Sequence, residues 1–260
     1  MMSRMLERYV GSPATLEELK HKPGRRLTLR ATGPRRSAIV KLYRSDRVLT
    51  VAARVAALST GPPEPEIPEV LGVDPDSRML VLSDVPGAPL RDAVLASDES
   101  ECRRAGNLIA SWHVAWHERV PPALPVHELR VELDILLDWA RFAPREIGSR
   151  VVAALPELRQ EWMPSTVVHR DLYEEQILLG SRVGLIDLDD AAAGPPELDI
   201  GNLLGHLDLL ELRTGQTLAT AVHALLGGYL ERGPLDAAVL ERCRQLTRLR
   251  LACIHSEPLL

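Results

Sequence analysis

The sequence predicts an α+β protein of two lobes, a small antiparallel β lobe with one helix followed by a larger, mainly helical lobe. Three observations predict it. The first 86 residues fall into short alternating runs. The stretch from Val85 to Pro89 (VPGAP) breaks both sheet and helix. Beyond it, apolar residues recur at helical spacing. Sheet lobe, linker and helical lobe imply a cleft between them. The two lobes are read as residues 1–86 and 87–260.

Each element follows from its local pattern. Thr15–Leu19 reads either as a helical turn or as the start of a strand, and Pro23-Gly24 is a turn signal. Arg26–Arg30 alternates as a half-buried strand does, residues 31–34 turn the chain, and Ser37–Tyr43 is a second strand. Arg47–Leu58 has helical apolar spacing and stops before Thr60–Pro63. Val70–Val73 and Met79–Leu82 flank a turn at Asp74–Ser77 and read as a hairpin. Helices are then predicted at Leu90–Ala96, Glu99–Glu118, Glu128–Phe142, Glu146–Trp162, Ile200–Arg213, Leu218–Arg232 and Leu235–His255. Only the region from Val167 to Asp190 interrupts them with strand character.

Bulk composition excludes several classes. At 260 residues, with 45% apolar and 26% charged residues, the chain is that of an ordinary soluble protein. No apolar run reaches membrane-span length, and Met1–Gly11 lacks the apolar core of a signal peptide, so no membrane partner is expected. Cys102, Cys243 and Cys253 are odd in number and not in metal-ligand spacing; they read as reduced thiols of a cytoplasmic protein. A net charge of −5 argues against a nucleic-acid partner. The charge is unevenly spread. Residues 1–86 carry 14 basic and 10 acidic residues, and residues 87–260 carry 17 and 26. An electropositive first lobe suits a nucleotide, and an acidic second lobe suits a cationic acceptor.

The chemistry concentrates in two runs, Val167–Leu179 (VVHRDLYEEQILL) and Val183–Asp190 (VGLIDLDD). A buried strand, a loop bearing Asp171, a return strand with Gln176 ahead of it, and a strand ending at Asp187 bring two carboxylates and an amide to one cleft. Such a set suits Mg²⁺, a triphosphate and a hydroxyl to be deprotonated. Asp189 and Asp190 read as exposed loop acids. Lys41 alternates inward with Ile39 on its strand, and an inward lysine is costly unless paired. The helix Arg47–Leu58 offers it no acid. Between the first two strands, Lys22–Arg26 (KPGRR) is the only candidate for a phosphate-contacting turn, through Arg25 or Arg26. His113 and His117 stand at i,i+4 without a third ligand and read as structural, as do Trp112 and Trp116 on one helix face.

The pattern His169-x-Asp171, Gln176, Ile186-Asp187 and then Asp199 at a helix start resembles the aminoglycoside phosphotransferase and choline kinase superfamily, which has a kinase-like fold. The resemblance covers the chain from the Lys41 strand to the Asp199 helix. It implies an ATP-dependent O-phosphotransferase. Asp171 would take or orient the acceptor hydroxyl, and Arg170 would stabilise developing charge. Asp187 and Gln176 would hold Mg²⁺, and Lys41 the α- and β-phosphates. Adenine would lie against the backbone of Leu82–Val85, which brings in Ser83 and Val85. His169 and Asp199 would hold the catalytic loop. Gln176 departs from the family's usual Asn; maltokinase-like enzymes are similar in carrying Gln there. Protein kinases share His-Arg-Asp-Leu, but this chain has no Asp-Phe-Gly, no Ala-Pro-Glu and a very short segment after Asp187. The acceptor implied is a sugar, amino sugar or aminoglycoside. With 3% aromatic residues, the aromatic cage that a choline-like cation wants is not expected. The alternative is a catalytically weak pseudokinase acting as a nucleotide-binding regulator, suggested by Gln176, the missing helix Glu and the missing glycine-rich loop.

Overall fold

The structure is a computed structural model that describes every residue except 1, 60, 62, 63, 258 and 260, and the backbone alone for residues 2–5. The turn expected at Thr60–Pro63 therefore lies mostly outside the described residues. Among them, no helix is long and apolar enough to cross a membrane.

The chain opens with α1 (Met2–Val10), then β1 (Thr15–Lys22), β2 (Arg26–Thr32), β3 (Ser37–Tyr43), α2 (Val48–Leu58), β4 (Val70–Asp74) and β5 (Met79–Ser83). The five strands form one antiparallel sheet in the order β1-β2-β3-β5-β4. Thr15–Leu19 thus resolves as strand. The lobe holds a second helix, α1, beyond the one expected. Leu6 and Val10 of α1 pack on Ala31, Ala38, Val40, Met79 and Val81, covering the outer sheet face. The period of 2 along β3 then sets everything else: Ala38 and Val40 go to that core, while Ile39 and Lys41 face the cleft.

The second lobe begins at β6 (Ala88–Pro89) and α3 (Leu90–Leu95), followed by α4 (Glu99–Trp116), α5 (Leu129–Ala140) and α6 (Arg145–Leu158). β7 (Thr166–Val168), β8 (Ile177–Leu179), β9 (Val183–Leu185) and β10 (Ala192–Gly194) form two small antiparallel sheets, β6-β8-β9 and β10-β7. A single 3-10 turn, Leu188–Asp190, lies between β9 and β10. The chain closes with α7 (Pro196–Thr214), α8 (Ala219–Leu230) and α9 (Ala237–His255). Helix positions agree with the sequence expectation to within a few residues at each end.

Two glycine contacts show why the second lobe is so closely packed. A Cβ on Gly106 of α4 would lie 1.9 Å from the Leu225 carbonyl oxygen, and one on Gly228 of α8 would lie 2.0 Å from that of Arg103. The two helix backbones touch at those points, which only glycine permits. One hydrophobic cluster runs without interruption from Val51, Val55 and Leu80 in the first lobe to Leu203, Leu225 and Tyr229 in the second. A second cluster joins α5, α6 and α9 behind the catalytic loop through Leu136, Val151 and Leu249.

Candidate active site

β7 delivers the chain to residues 169–171, and the local geometry there is fixed by one buried carboxylate. Asp199, 1% exposed in the first turn of α7, accepts from the backbone N–H of His169 at 2.7 Å and of Arg170 at 2.8 Å. A carboxylate is favoured in the first turn of a helix. Burial opposes its charge, but His113, His169 and these N–H donors outweigh burial and lower its pKa. His113 contacts Asp199 at 3.1 Å through Nε2 and the Tyr229 hydroxyl at 2.8 Å through Nδ1. His169 Nε2 donates to the Ile186 carbonyl at 2.7 Å, tying the loop to the segment that carries Asp187. Both histidines are structural, as expected. Both ring nitrogens of His113 are engaged within the core.

Two cavities meet at this loop. The larger, about 620 Å³, lies between the lobes and is lined by Lys41, Gln176 and Asp187, with Leu82, Ser83 and Val85 along one wall. The second, about 510 Å³, lies between the β1–β2 hairpin and helices α7 and α9, and Asp171 lines it. Lys20, Tyr173 and Glu175 line both, so the two cavities adjoin. Lys20 Nζ reaches across to the Tyr173 hydroxyl at 3.1 Å, and Tyr173 stacks on His206 with ring centres 4.9 Å apart.

Lys41 is 4% exposed and finds its acids in the opposite lobe. Its Nζ donates to Asp187 Oδ1 and to Asp189 Oδ1, each at 2.6 Å. Arg26 straddles Asp187 with two N–H donors, at 2.8 and 2.9 Å, and also bonds Asp189. The Tyr43 hydroxyl donates to Asp189 Oδ2 at 2.8 Å. Arg47 and Arg54 on the α2 side donate to the Asp189 carbonyl at 3.3 and 2.9 Å. Asp187 has φ 63°, in the left-handed region, which turns its carboxylate into this cluster as the 3-10 turn begins. Burial alone would raise the Asp187 carboxyl; Lys41 and Arg26 outweigh it and hold the group well below the usual carboxylate range. Burial and Asp189 push the Tyr43 hydroxyl the other way, so it stays protonated and donates.

Asp189 corrects the sequence expectation. It is 3% exposed and no loop acid; only Asp190, paired with Arg47 at 2.8 Å, is partly exposed. The signal existed in the sequence as an inward lysine without an acid on its helix. It pointed to no partner because the acid lies about 150 positions away.

Of the other candidate residues, Arg26, Lys41, Ser83, Val85, Gln176 and Asp187 come together around the larger cavity. Two do not join them. Arg25 sits at the exposed hairpin turn beside a separate shallow depression; Gly24, at φ 71°, turns the strand so that Arg26 alone points inward. Arg170 lines neither cavity. Its backbone has φ 72°, and its charge is felt at Asp190 and Glu132. The Gln176 side chain is 4% exposed and makes no hydrogen bond to any described residue, so its amide oxygen is open toward the cleft. An anionic carboxylate and an uncommitted amide oxygen are the donor types that Mg²⁺ accepts alongside phosphate oxygens. All three cysteines are buried and free, and burial pushes the Cys102 thiol up to about 11.

Known proteins resemble this chain in both sequence and fold. Viomycin phosphotransferase of Streptomyces vinaceus is 30% identical over 181 residues, 60% of this chain and 57% of that protein. The N-acetylmuramate/N-acetylglucosamine kinase of Neisseria meningitidis is 26% identical over 155 residues, 53% of this chain and 46% of that one. The chain thus matches about half the length of these curated relatives. Among solved structures, aminoglycoside phosphotransferase APH(3'')-Id from Streptomyces rimosus superposes with a TM-score of 0.69 at 21% identity, covering 96% of this chain and 97% of that one. A choline/ethanolamine kinase family protein from Mesorhizobium loti gives 0.65 at 17% identity, covering 98% and 85%. Both likenesses are of fold, and the fold is the kinase-like one expected. A profile of the phosphotransferase enzyme family matches residues 24–244. With that match spanning most of the chain, the protein belongs to the phosphotransferase enzyme family.

Proposed function

We propose that the protein is an ATP-dependent O-phosphotransferase acting on a hydroxyl of a sugar-like small molecule, with residues 1–86 forming the nucleotide lobe and residues 87–260 the catalytic and acceptor lobe. The observation that carries this is the pair of adjoining cavities, one lined by Lys41, Gln176 and Asp187 and the other by Asp171. In this reading donor and acceptor lie on either side of Tyr173. Relatives whose names specify a phosphotransferase or a sugar kinase support the reading, as does a structural relative solved with ADP and streptomycin.

In this reading the adenine lies along Leu82–Val85. The amide of Val85 makes no backbone hydrogen bond among the described residues although the residue is buried, which leaves a donor for a purine edge. Lys41 holds phosphate oxygens at the cleft floor, and Arg26 leaves Asp187 to do the same. Asp187 and Gln176 would hold Mg²⁺, which would supply charge neutralisation at the phosphate oxygens. Asp171 accepts the proton of the acceptor hydroxyl. The hydroxyl oxygen forms a new bond to the γ-phosphorus as the bridging P–O bond breaks, and the electron pair leaves with ADP. Asp199 acts only through the loop, by fixing the backbone on which Asp171 stands. An enzyme that spends ATP and keeps three free thiols is assigned to the cytoplasm.

The test is ADP release and mass-detected phosphorylation over a panel of sugars and amino sugars, with wild type beside Asp171→Asn. Acceptor-dependent ADP formation that disappears in Asp171→Asn is expected. Equal turnover by the two proteins would rule the mechanism out.

A further inference from the structure

The second lobe is acidic overall, yet the cavity beside Asp171 is not. Its basic lining residues are Lys20, Lys22, Arg91, Arg213 and Arg250, and its acidic ones are Asp171, Glu174 and Glu175. The acids are largely spoken for. Asp171 is assigned to the acceptor hydroxyl, and Glu175 pairs with Arg91 at 3.1 Å. Glu174 is 6% exposed, its Oε2 is buried with no hydrogen-bond partner among the described residues, and burial raises its pKa. Of the cations, the two lysines are the least committed. Arg213 and Arg250 are paired with Glu257 and Glu132, which lie outside the lining. Lys20 bonds only the Tyr173 hydroxyl, and Lys22, half-buried, has no carboxylate partner among the described residues. His206 reports the same field. Burial and then the neighbouring Arg250, His255, Arg213 and Lys20 push its pKa down to about 3, so the ring stays neutral beside two arginines and a lysine.

We propose that the acceptor is a hydroxylated compound bearing a carboxylate or phosphate group, which sits among Lys20, Lys22 and Arg213 while its hydroxyl faces Asp171. The inference rests on the phosphotransferase reading above and narrows its acceptor. A polycationic aminoglycoside would bring ammonium groups to the two lysines, at a cost in repulsion, whereas an anion relieves it. Glu174 supplies the remaining element. Its buried Oε2, without a hydrogen-bond partner among the described residues, accepts from a hydroxyl of the bound acceptor, which gives the orphaned group a partner. The cavity, about 510 Å³, is within the usual range for a small-molecule site.

The test uses the full chain with ATP and Mg²⁺ and a series matched in shape but not in charge. Glucose is the neutral member. Glucuronate and gluconate carry a carboxylate, glucose 1-phosphate and glucose 6-phosphate carry a phosphate, and kanamycin is the polycation. Expected is a kcat/KM for at least one anionic member about tenfold or more above glucose, the size of one added charged contact. Its KM should rise with ionic strength, and whether carboxylate or phosphate members lead identifies the group. In Lys22→Gln and Arg213→Gln, singly and combined, the anionic-to-neutral ratio should fall toward unity, with melting temperatures confirming that the variants are folded. Kanamycin or glucose preferred over every anionic member, or a ratio unmoved by both substitutions, overturns the inference; if that turnover still depends on Asp171, the phosphotransferase reading stands. Nucleotide binding without Asp171-dependent phosphorylation of any member overturns both.

Discussion

Lys41 Nζ donates to Asp189 Oδ1 at 2.6 Å, so the lysine of β3 takes its acid from the 3-10 turn of the other lobe and none from its own helix. Asp189 is in turn held by Arg26 and the Tyr43 hydroxyl, and its carbonyl by Arg47 and Arg54. The pairing acid thus rides on the same short segment as Asp187, and the two lobes are tied at the point where a triphosphate would lie. Asp189→Asn should leave Lys41 and Tyr43 with a weaker partner, destabilise the fold by about 1–3 kcal/mol and weaken nucleotide binding. Thermal melting and nucleotide titration check both. Asp189→Glu should recover less than half of the loss, because the added methylene shifts the carboxylate relative to Lys41, Arg26 and Tyr43, which now meet it.

Arg26 bonds both oxygens of Asp187. It therefore competes with any cation for that carboxylate. Arg26→Gln should lower the Mg²⁺ concentration needed for half-maximal nucleotide binding while reducing the melting temperature of the nucleotide-free protein. An Mg²⁺ requirement that rises or stays fixed would show that the phosphate contact of Arg26 outweighs its competition for the acid.

Asp171→Asn keeps the shape of the loop, since Asp199 braces the backbone and not this side chain. A loss of about 10²–10⁴ in kcat is expected, the usual size of a general-base contribution. Nucleotide affinity should stay within about twofold, because Asp171 lines only the acceptor cavity. Stopped assays and equilibrium nucleotide binding separate the two outcomes.

Acid should unfold the protein in two stages. His206 is pushed down to about 3 in the fold, against about 6.5 for an unfolded chain, so the unfolded state takes up a proton first and stability is lost as pH falls from about 6.5 toward 3. Glu132 is almost wholly buried; burial alone would raise it, but Arg250 and His127 hold it down at about 2. Its contribution is present above an unfolded pKa of about 4.3 and is lost as pH falls toward 2. Melting temperature against pH should therefore fall less steeply below 6.5 in His206→Asn, and less steeply below about 4.3 in Glu132→Gln.

Gly106→Ala puts a methyl group 1.9 Å from the Leu225 carbonyl oxygen, so α4 and α8 must separate. A cost of about 1–3 kcal/mol is expected from overpacking, measured by denaturant unfolding. Since the contact is far from the clefts, the folded fraction should keep its nucleotide affinity.

The sequence by itself determined the lobes, the strands β2 to β5, most helices and the placement of Asp171, Gln176 and Asp187. These are local facts: a period of 2 or 3.6, a Pro-Gly break, and a fixed spacing between two acids. The tertiary structure decided what depends on distant residues meeting. It paired Lys41 with Asp189, set Arg26 on Asp187, and left Arg170 and Arg25 out of the lining of both cavities. It also decided the charge around Asp171. The second lobe is acidic in sum, but Lys20 and Lys22 come over from β1 and Arg213 and Arg250 from α7 and α9, so the cavity takes its sign from proximity rather than from composition. Coulomb energy falls with distance and is screened by solvent, so a count along the chain carries no information about a pocket until folding brings its walls together.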